Sequence, residues 1–165
     1  MAHTENVKLV LAYSHTDEVK ALFTEYTDLL IAGDHTFREY LQIQNYDDEL
    51  THLERKYGLP HGRLYLAYFD NKPAGCIGLR KIDHLHCEMK RLYIRPGFRR
   101  KHIGSTLVQK IITDAKEIGY SYLLLVTLPF LKEAIALYQK LGFYEIPCYN
   151  NSPMTDSIYM KLDLQ

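Results

Sequence analysis

His86-Cys87-Glu88-Met89-Lys90-Arg91-Leu92-Tyr93-Ile94-Arg95-Pro96-Gly97-Phe98-Arg99-Arg100-Lys101-His102-Ile103-Gly104-Ser105-Thr106-Leu107 reads as a strand, a sharp basic turn and the opening of a helix. Leu92, Tyr93 and Ile94 have strand character, and Pro96-Gly97 ends the strand. Ile103, Leu107 and Ile111 then recur every four residues, which is helical spacing. Between the two lie Arg95, Arg99, Arg100, Lys101 and His102. A helix N-terminus presents unpaired backbone N–H groups and the positive end of the macrodipole. A basic cluster at that point makes a receptor for phosphate groups, so the stretch predicts a phosphorylated ligand held mainly by backbone. A solvated turn carrying a charge run is the plainer alternative.

Outward from this stretch the chain alternates strands and helices. Val7 to Ala12 reads as a first strand, and Ser14 to Asp17 as a capping signal. Val19, Leu22, Phe23, Tyr26 and Leu30 trace one face of a helix that Gly33 stops. Asp34 to Gln44 is irregular and aromatic-rich. One short helix is expected next, with Asp47, Asp48 and Glu49 in its first turn and Leu50, Leu53 and Tyr57 on its apolar side. Leu64–Phe69 and Ala74–Ile82 form a hairpin across Asp70-Asn71-Lys72-Pro73, and His86 to Arg95 follows as a third strand. The helix after the basic turn runs to about Ile118, before Gly119.

Tyr122 to Thr127 is apolar on both faces, as a fully covered strand would be. Leu131, Ala134, Ile135, Tyr138 and Leu141 stripe a further helix that Gly142 caps. Phe143–Ile146 and Ser157–Leu164 close the chain around a turn-rich loop. The order is strand, two helices, three strands, helix, strand, helix, two strands. That predicts one α/β domain over residues 1–165, a mixed, mostly antiparallel sheet of about seven strands with helices on both faces.

The 165 residues carry 20 basic and 20 acidic side chains, so no global field draws the chain to nucleic acid or to a membrane. Cys76, Cys87 and Cys148 lack metal-knuckle spacing and read as free thiols of a reducing cytoplasm. No N-terminal signal pattern appears, and the longest apolar run is too short to span a bilayer.

These motifs resemble the Gcn5-related N-acetyltransferases (GNAT), which use acetyl-CoA. The family's loop is Arg or Gln, two residues, Gly, one residue, then Gly or Ala. Arg99 and Gly104 match it; His102 stands where the first glycine is usual, which limits how closely a pyrophosphate approaches the backbone. Ala136-Leu137-Tyr138-Gln139-Lys140-Leu141-Gly142-Phe143 looks like the family's second hallmark, a Tyr four residues before Gly-Phe. Cys87 to Tyr93 and the late Leu-Gly-Phe-Tyr-Glu-Ile-Pro run resemble a group of small bacterial acetyltransferases.

The resemblance implies a GNAT-like fold and a role for each matching residue. Leu92, Tyr93 and Ile94 would pair with the pantetheine arm; Arg99, Arg100, Lys101, His102, Ile103, Gly104 and Ser105 would hold the pyrophosphate. Leu131 stands where many members have an Asn, so that side-chain contact is missing. Glu88, eleven residues before Arg99, occupies the register of the carboxylate base in histone-acetylating members. Burial would raise its pKa toward a useful range; a salt bridge with Lys90 or Arg91 is the alternative. His84 and His86 share its face if strand alternation holds, and either could relay a proton through water. A metal held by His84, His86 and Glu88 is weighed against, since no distant partner pair supports it.

Tyr138 would protonate the leaving thiolate; a core tyrosine with a surface hydroxyl is the bland reading. Transfer is expected to be direct, to a primary amine of a small molecule. The loops 33–44 and 147–156, with Phe37, Arg38, Tyr40, Tyr149, Asn150 and Asn151, and nearby Arg80, Lys90 and Arg91, suit an amine carrying an acidic group. Two rival readings are a coenzyme A-binding sensor without catalysis and an acetyltransferase acting on a protein or peptide. Relatives that pair through late strands leave a homodimer open.

Overall fold

The computed structural model describes residues 6–150 and 152–165; Asn151 lies outside them. The chain opens with strand β1 (Val7–Leu11) and helix α1 (Thr16–Gly33). Three short helices follow, α2 (Phe37–Ile43), α3 (Tyr46–Thr51) and α4 (Leu53–Tyr57). Strands β2 (Arg63–Phe69), β3 (Lys72–Lys81) and β4 (His86–Ile94) lead through a 3-10 turn, Pro96–Phe98, to helix α5 (Ile103–Ile118). Strand β5 (Tyr122–Thr127), helix α6 (Lys132–Lys140) and strands β6 (Tyr144–Ile146) and β7 (Ile158–Asp163) complete it.

Among the described residues the strands form one sheet in the order β1-β2-β3-β4-β5-β7-β6. Every neighbouring pair is antiparallel except β4 and β5. Those two are paired only at His86–Tyr122, Cys87–Leu123 and Glu88–Leu124. Beyond Glu88 they part. A bulge in β4 contributes to the divergence: Arg91 adopts φ 62°, and the register against β3 shifts between Cys76 and Gly78. Such an extra residue bends its strand.

Both faces of the sheet are covered. On one side Val19, Leu22 and Phe23 of α1, with Leu53 and Tyr57, bury against Leu64, Leu66 and Cys76. On the other, Ile103, Leu107, Val108, Ile111 and Ala115 of α5 and Tyr138 of α6 pack on Tyr65, Ile77, Cys87, Met89 and Leu123. A third cluster, Leu30, Phe37, Tyr40, Leu41, Leu128 and Met154, roofs the place where β4 and β5 separate.

The fold class is the expected one, with local differences. The irregular stretch after Gly33 contains α2, a helix that exists because Phe37, Tyr40 and Leu41 bury in the roof cluster. The single helix expected over Asp47 to Tyr57 is broken at His52, whose backbone (φ −131°, ψ 61°) leaves the helical region. His15, not Ser14, precedes the first turn of α1, and no side chain caps it. His84 lies in the bend between β3 and β4, so it does not share a strand face with Glu88.

Candidate active site

Two hollows flank the parted ends of β4 and β5. The larger is a groove of about 700 Å³. It is lined by Leu92, Tyr93 and Ile94 of β4, by Phe98, Arg99, Arg100 and His102 of the basic turn, and by Ile103, Gly104 and Ser105 of α5. Leu137 and Tyr138 of α6 form the far wall. Ile103, Gly104 and Ser105 occupy the first turn of α5, where no earlier helical carbonyl exists to accept their N–H groups. Arg100 and His102 both adopt left-handed backbone, at φ 63° and 61°. Successive N–H groups in alternating conformations of this kind make an anion-binding concavity. A Cβ built on Gly104 would approach Leu137 and Ile94 no closer than 3.7 Å, so the glycine leaves open space rather than relieving a clash.

The basic cluster is smaller than the sequence predicts. Arg95 donates to Glu25 at 2.8 and 3.1 Å and to the Pro73 carbonyl, away from the turn. Lys101 does not line the groove; its Nζ lies 4.9 Å from the centre of the Phe69 ring. Arg99 donates to the carbonyl of Ile94 at 3.2 Å. Of the basic turn's charges, those of Arg99 and Arg100 therefore face the groove, beside His102.

Tyr138 is buried and packs its ring on Phe143 at 5.7 Å. Burial pushes its hydroxyl pKa far above the ordinary phenol value, so it stays protonated at any physiological pH. It lines the groove.

The second hollow is a cavity of about 40 Å³, bounded by Tyr26, Phe37, Tyr40, Gln44, Glu88, Lys90, Arg91, Thr127, Leu131 and Ser157. Tyr26 and Leu131 also line the groove, so the two hollows adjoin there. Glu88 sits at the last β4–β5 pair and is 2% exposed. Arg80 Nε donates to its Oε1 at 2.7 Å, the Tyr149 hydroxyl donates to Oε2, and Lys90 Nζ lies 3.7 Å from Oε1. Burial alone would raise the Glu88 pKa. The charges of Lys90 and Arg80, with the hydrogen bonds from Tyr149 and Arg80, outweigh it and hold the carboxyl down at about 2. The expected rise is thus reversed by partners that the sequence did not place together, and the salt-bridge alternative is present, with Arg80 as the closest cation.

Arg91 belongs to a different pair. Its Nε and Nη2 both reach Glu49, at 2.9 Å each, and Lys56 and the Tyr57 hydroxyl complete that carboxylate's shell. Burial opposes ionisation of Glu49, yet Arg91 and Lys56 hold its pKa well below the carboxylate range. Lys90 is 11% exposed and donates to Gln44 Oε1 at 3.0 Å, an oxygen that also accepts from Arg91 at 2.8 Å. Burial, reinforced by the Arg91 charge, lowers the Lys90 pKa to about 7. Glu49, Tyr149 and Gln44 were the polar partners that local sequence did not single out as such; each meets its partner from 42 to 61 residues away.

Of the histidines, His86 stacks on Tyr122 at 5.1 Å and places Nδ1 2.8 Å from Asp83. Among the described residues no group of three His, Cys, Asp or Glu side chains is arranged to hold a metal ion.

The model of the acetyltransferase (GNAT) family matches residues 21–143. The chain belongs to the GNAT acetyltransferases. It is 33% identical to an uncharacterized N-acetyltransferase of Dictyostelium discoideum, over 96% of this chain and 99% of the relative. An uncharacterized N-acetyltransferase of Schizosaccharomyces pombe is 37% identical, over 90% and 88%. The crystal structure of a GNAT family acetyltransferase from Elizabethkingia anophelis with acetyl-CoA bound superposes with a TM-score of 0.57, at 27% identity, over 73% of this chain and 82% of that one. As a GNAT acetyltransferase the chain is an acetyl-CoA-dependent N-acetyltransferase.

Proposed function

We propose that this GNAT enzyme is a single-domain, cytoplasmic N-acetyltransferase that moves the acetyl group of acetyl-CoA directly onto a primary amine of a small molecule. The observation that carries this reading is the meeting of the groove and the smaller cavity at Tyr26 and Leu131. That arrangement suits a long ligand and a small one end to end, as a ternary complex needs.

Acetyl-CoA supplies an acyl group activated as a thioester. The amides of Ile103, Gly104 and Ser105, with Arg99, Arg100 and His102, suit its pyrophosphate. The edge of β4 at Leu92–Ile94, left without β5 beside it, suits the pantetheine arm as an added strand. The acceptor nitrogen bonds to the acetyl carbon as the carbon–sulfur bond breaks. Tyr138 gives its hydroxyl proton to the leaving sulfur and regains one from solvent. The proton shed by the acceptor ammonium leaves through water beside Glu88, whose fixed negative charge attracts the proton without binding it for long. Three free cysteines, two of them buried, suit a reducing compartment. Among the described residues no helix is long and apolar enough to cross a membrane.

The test is a panel of primary amines with acetyl-CoA, followed by free-thiol release, beside calorimetry with coenzyme A. Turnover of at least one small amine is expected. Coenzyme A binding with turnover only of protein or peptide amines would displace the small-molecule reading.

A further inference from the structure

The polar cluster behind the groove is unbalanced. Among the described residues, Arg80, Lys90, Arg91 and Lys56 pair with two carboxylates, Glu88 and Glu49. The neighbouring hydroxyls of Tyr149 and Tyr57 donate to those carboxylates and, being neutral, add no counter-charge. Lys90 is the cation left short. Its ammonium carries three donors, of which one reaches a neutral amide oxygen that it shares with Arg91. Glu88, at 3.7 Å, is beyond hydrogen-bond distance.

A second, independent donor belongs to a residue of the same cavity wall. Ser157 Oγ is shut off from solvent and, among the described residues, is the buried side-chain polar atom without a hydrogen-bond partner. Ser157 lies just before β7, while Lys90 comes from β4, so no local turn brings them together. Both line the cavity, with Tyr26, Phe37 and Tyr40 as aromatic walls. Leaving a buried donor unmet costs free energy, and an under-paired ammonium and an unpaired hydroxyl in residues of one cavity wall favour an acceptor-rich, negatively charged group.

The volume narrows the class. A cavity of about 40 Å³ has room for only a few water-sized groups, so its occupant is the small head of a larger molecule. A carboxylate is the smallest common anionic head.

We propose that the acceptor is an amino acid whose carboxylate enters this cavity, held by Lys90 Nζ and Ser157 Oγ, so that its amine lies at the groove beside Tyr26 and Leu131. This rests on the acetyltransferase reading of the groove. Lys90 is faced by Glu88 and Arg91 of its own strand, by Arg80 of β3, by Gln44 and Tyr40 from α2 and its C-terminal cap, and by Glu49 and Lys56 of α3 and α4. An incoming carboxylate supplies the counter-charge that this set lacks and draws a proton onto Lys90.

The experiment offers acetyl-CoA with matched triplets, each an amino acid, its amide and its decarboxylated amine. Thiol release is followed with the wild type, Lys90→Met and Ser157→Ala. In parallel, acetate is titrated into the coenzyme A-loaded protein while the side-chain carbon signal of isotopically labelled Lys90 is followed at pH 7.5. The acid member should exceed its amide in kcat/KM by about tenfold to a hundredfold, the size of a lost charged hydrogen bond. That ratio should fall to about one in Lys90→Met, with coenzyme A affinity unchanged. Acetate should shift the Lys90 signal toward the protonated form. Preference for the amide or amine, an acid preference that survives Lys90→Met, or no turnover combined with a Lys90 signal indifferent to acetate would each overturn the proposal. Failure to bind coenzyme A would instead remove the acetyltransferase reading beneath it.

Discussion

Replacing Lys90 with methionine should make the unliganded protein more stable, and by an amount that depends on pH. Lysine and methionine have similar length, and the cavity wall is otherwise aromatic and aliphatic on one side. The Lys90 pKa is lowered from 10.5 to about 7, first by burial and then by Arg91. Its folded value lies below its unfolded value, so the unfolded chain binds more protons between the two. Stability from this group therefore rises as pH climbs from about 7 to 10.5, and its cost is fully present below 7.

A displacement of that size corresponds to ~5 kcal/mol. Methionine gives up the hydrogen bond to Gln44 and leaves Glu88 with one cation fewer, each worth about 1–2 kcal/mol. A net gain of about 1–3 kcal/mol at pH 6 remains. With an unfolding entropy near 2.1 cal/mol/K per residue, 165 residues convert it to roughly 3–9 °C in Tm. The assay is thermal unfolding of both proteins at pH 6 and pH 9.5. The gain should be large at the first and gone or reversed at the second. A variant less stable at pH 6, by an amount that does not change with pH, would show that the cluster accommodates the lysine charge unaided.

Three further outcomes are expected. Gly104→Asp should raise the coenzyme A Kd at least about tenfold, since a carboxylate at the first turn of α5 repels the pyrophosphate; Tm should stay within about 2 °C because that Cβ has room. Tyr138→Phe should lower kcat by about 10²- to 10⁴-fold, the range of a positioned general acid, while calorimetry finds coenzyme A affinity unchanged. In acid, Glu88 stabilises the fold fully above the unfolded carboxylate pKa and loses its contribution as pH falls toward its folded value of about 2. That is worth ~3 kcal/mol, so Glu88→Gln should flatten the fall in Tm between pH 5 and 2, and parallel curves would refute the ion-pair account.

The long periodic elements were legible in the chain. The helix Ile103–Ile118 matches its expected span, because a stripe every four residues has no other use than covering a sheet. The Tyr122–Thr127 strand was equally plain. The helix Phe37–Ile43 was not, since its three buried residues answer to Leu30, Leu128 and Met154 rather than to any local period.

The candidate site divides the same way. The basic turn could be placed from spacing and Tyr138 from the family motif; Arg99, Arg100, His102 and Tyr138 line the groove. Glu49 looked like an acid suited to a helix dipole, yet it is the buried partner of Arg91 across 42 residues. Arg95 and Lys101 looked like phosphate ligands until Glu25 and the Phe69 ring claimed them. Ion pairs between distant elements leave no periodic trace, and that is why the pKa of Glu88 was expected in the wrong direction.

The central claim is that the groove between the parted strands receives coenzyme A through the first turn of the Ile103 helix. Calorimetric titration of the purified protein with coenzyme A tests it most directly. One saturable site per chain, weakened by added salt and lost in Gly104→Asp, is the predicted result; no heat of binding, or binding indifferent to that substitution, would contradict it.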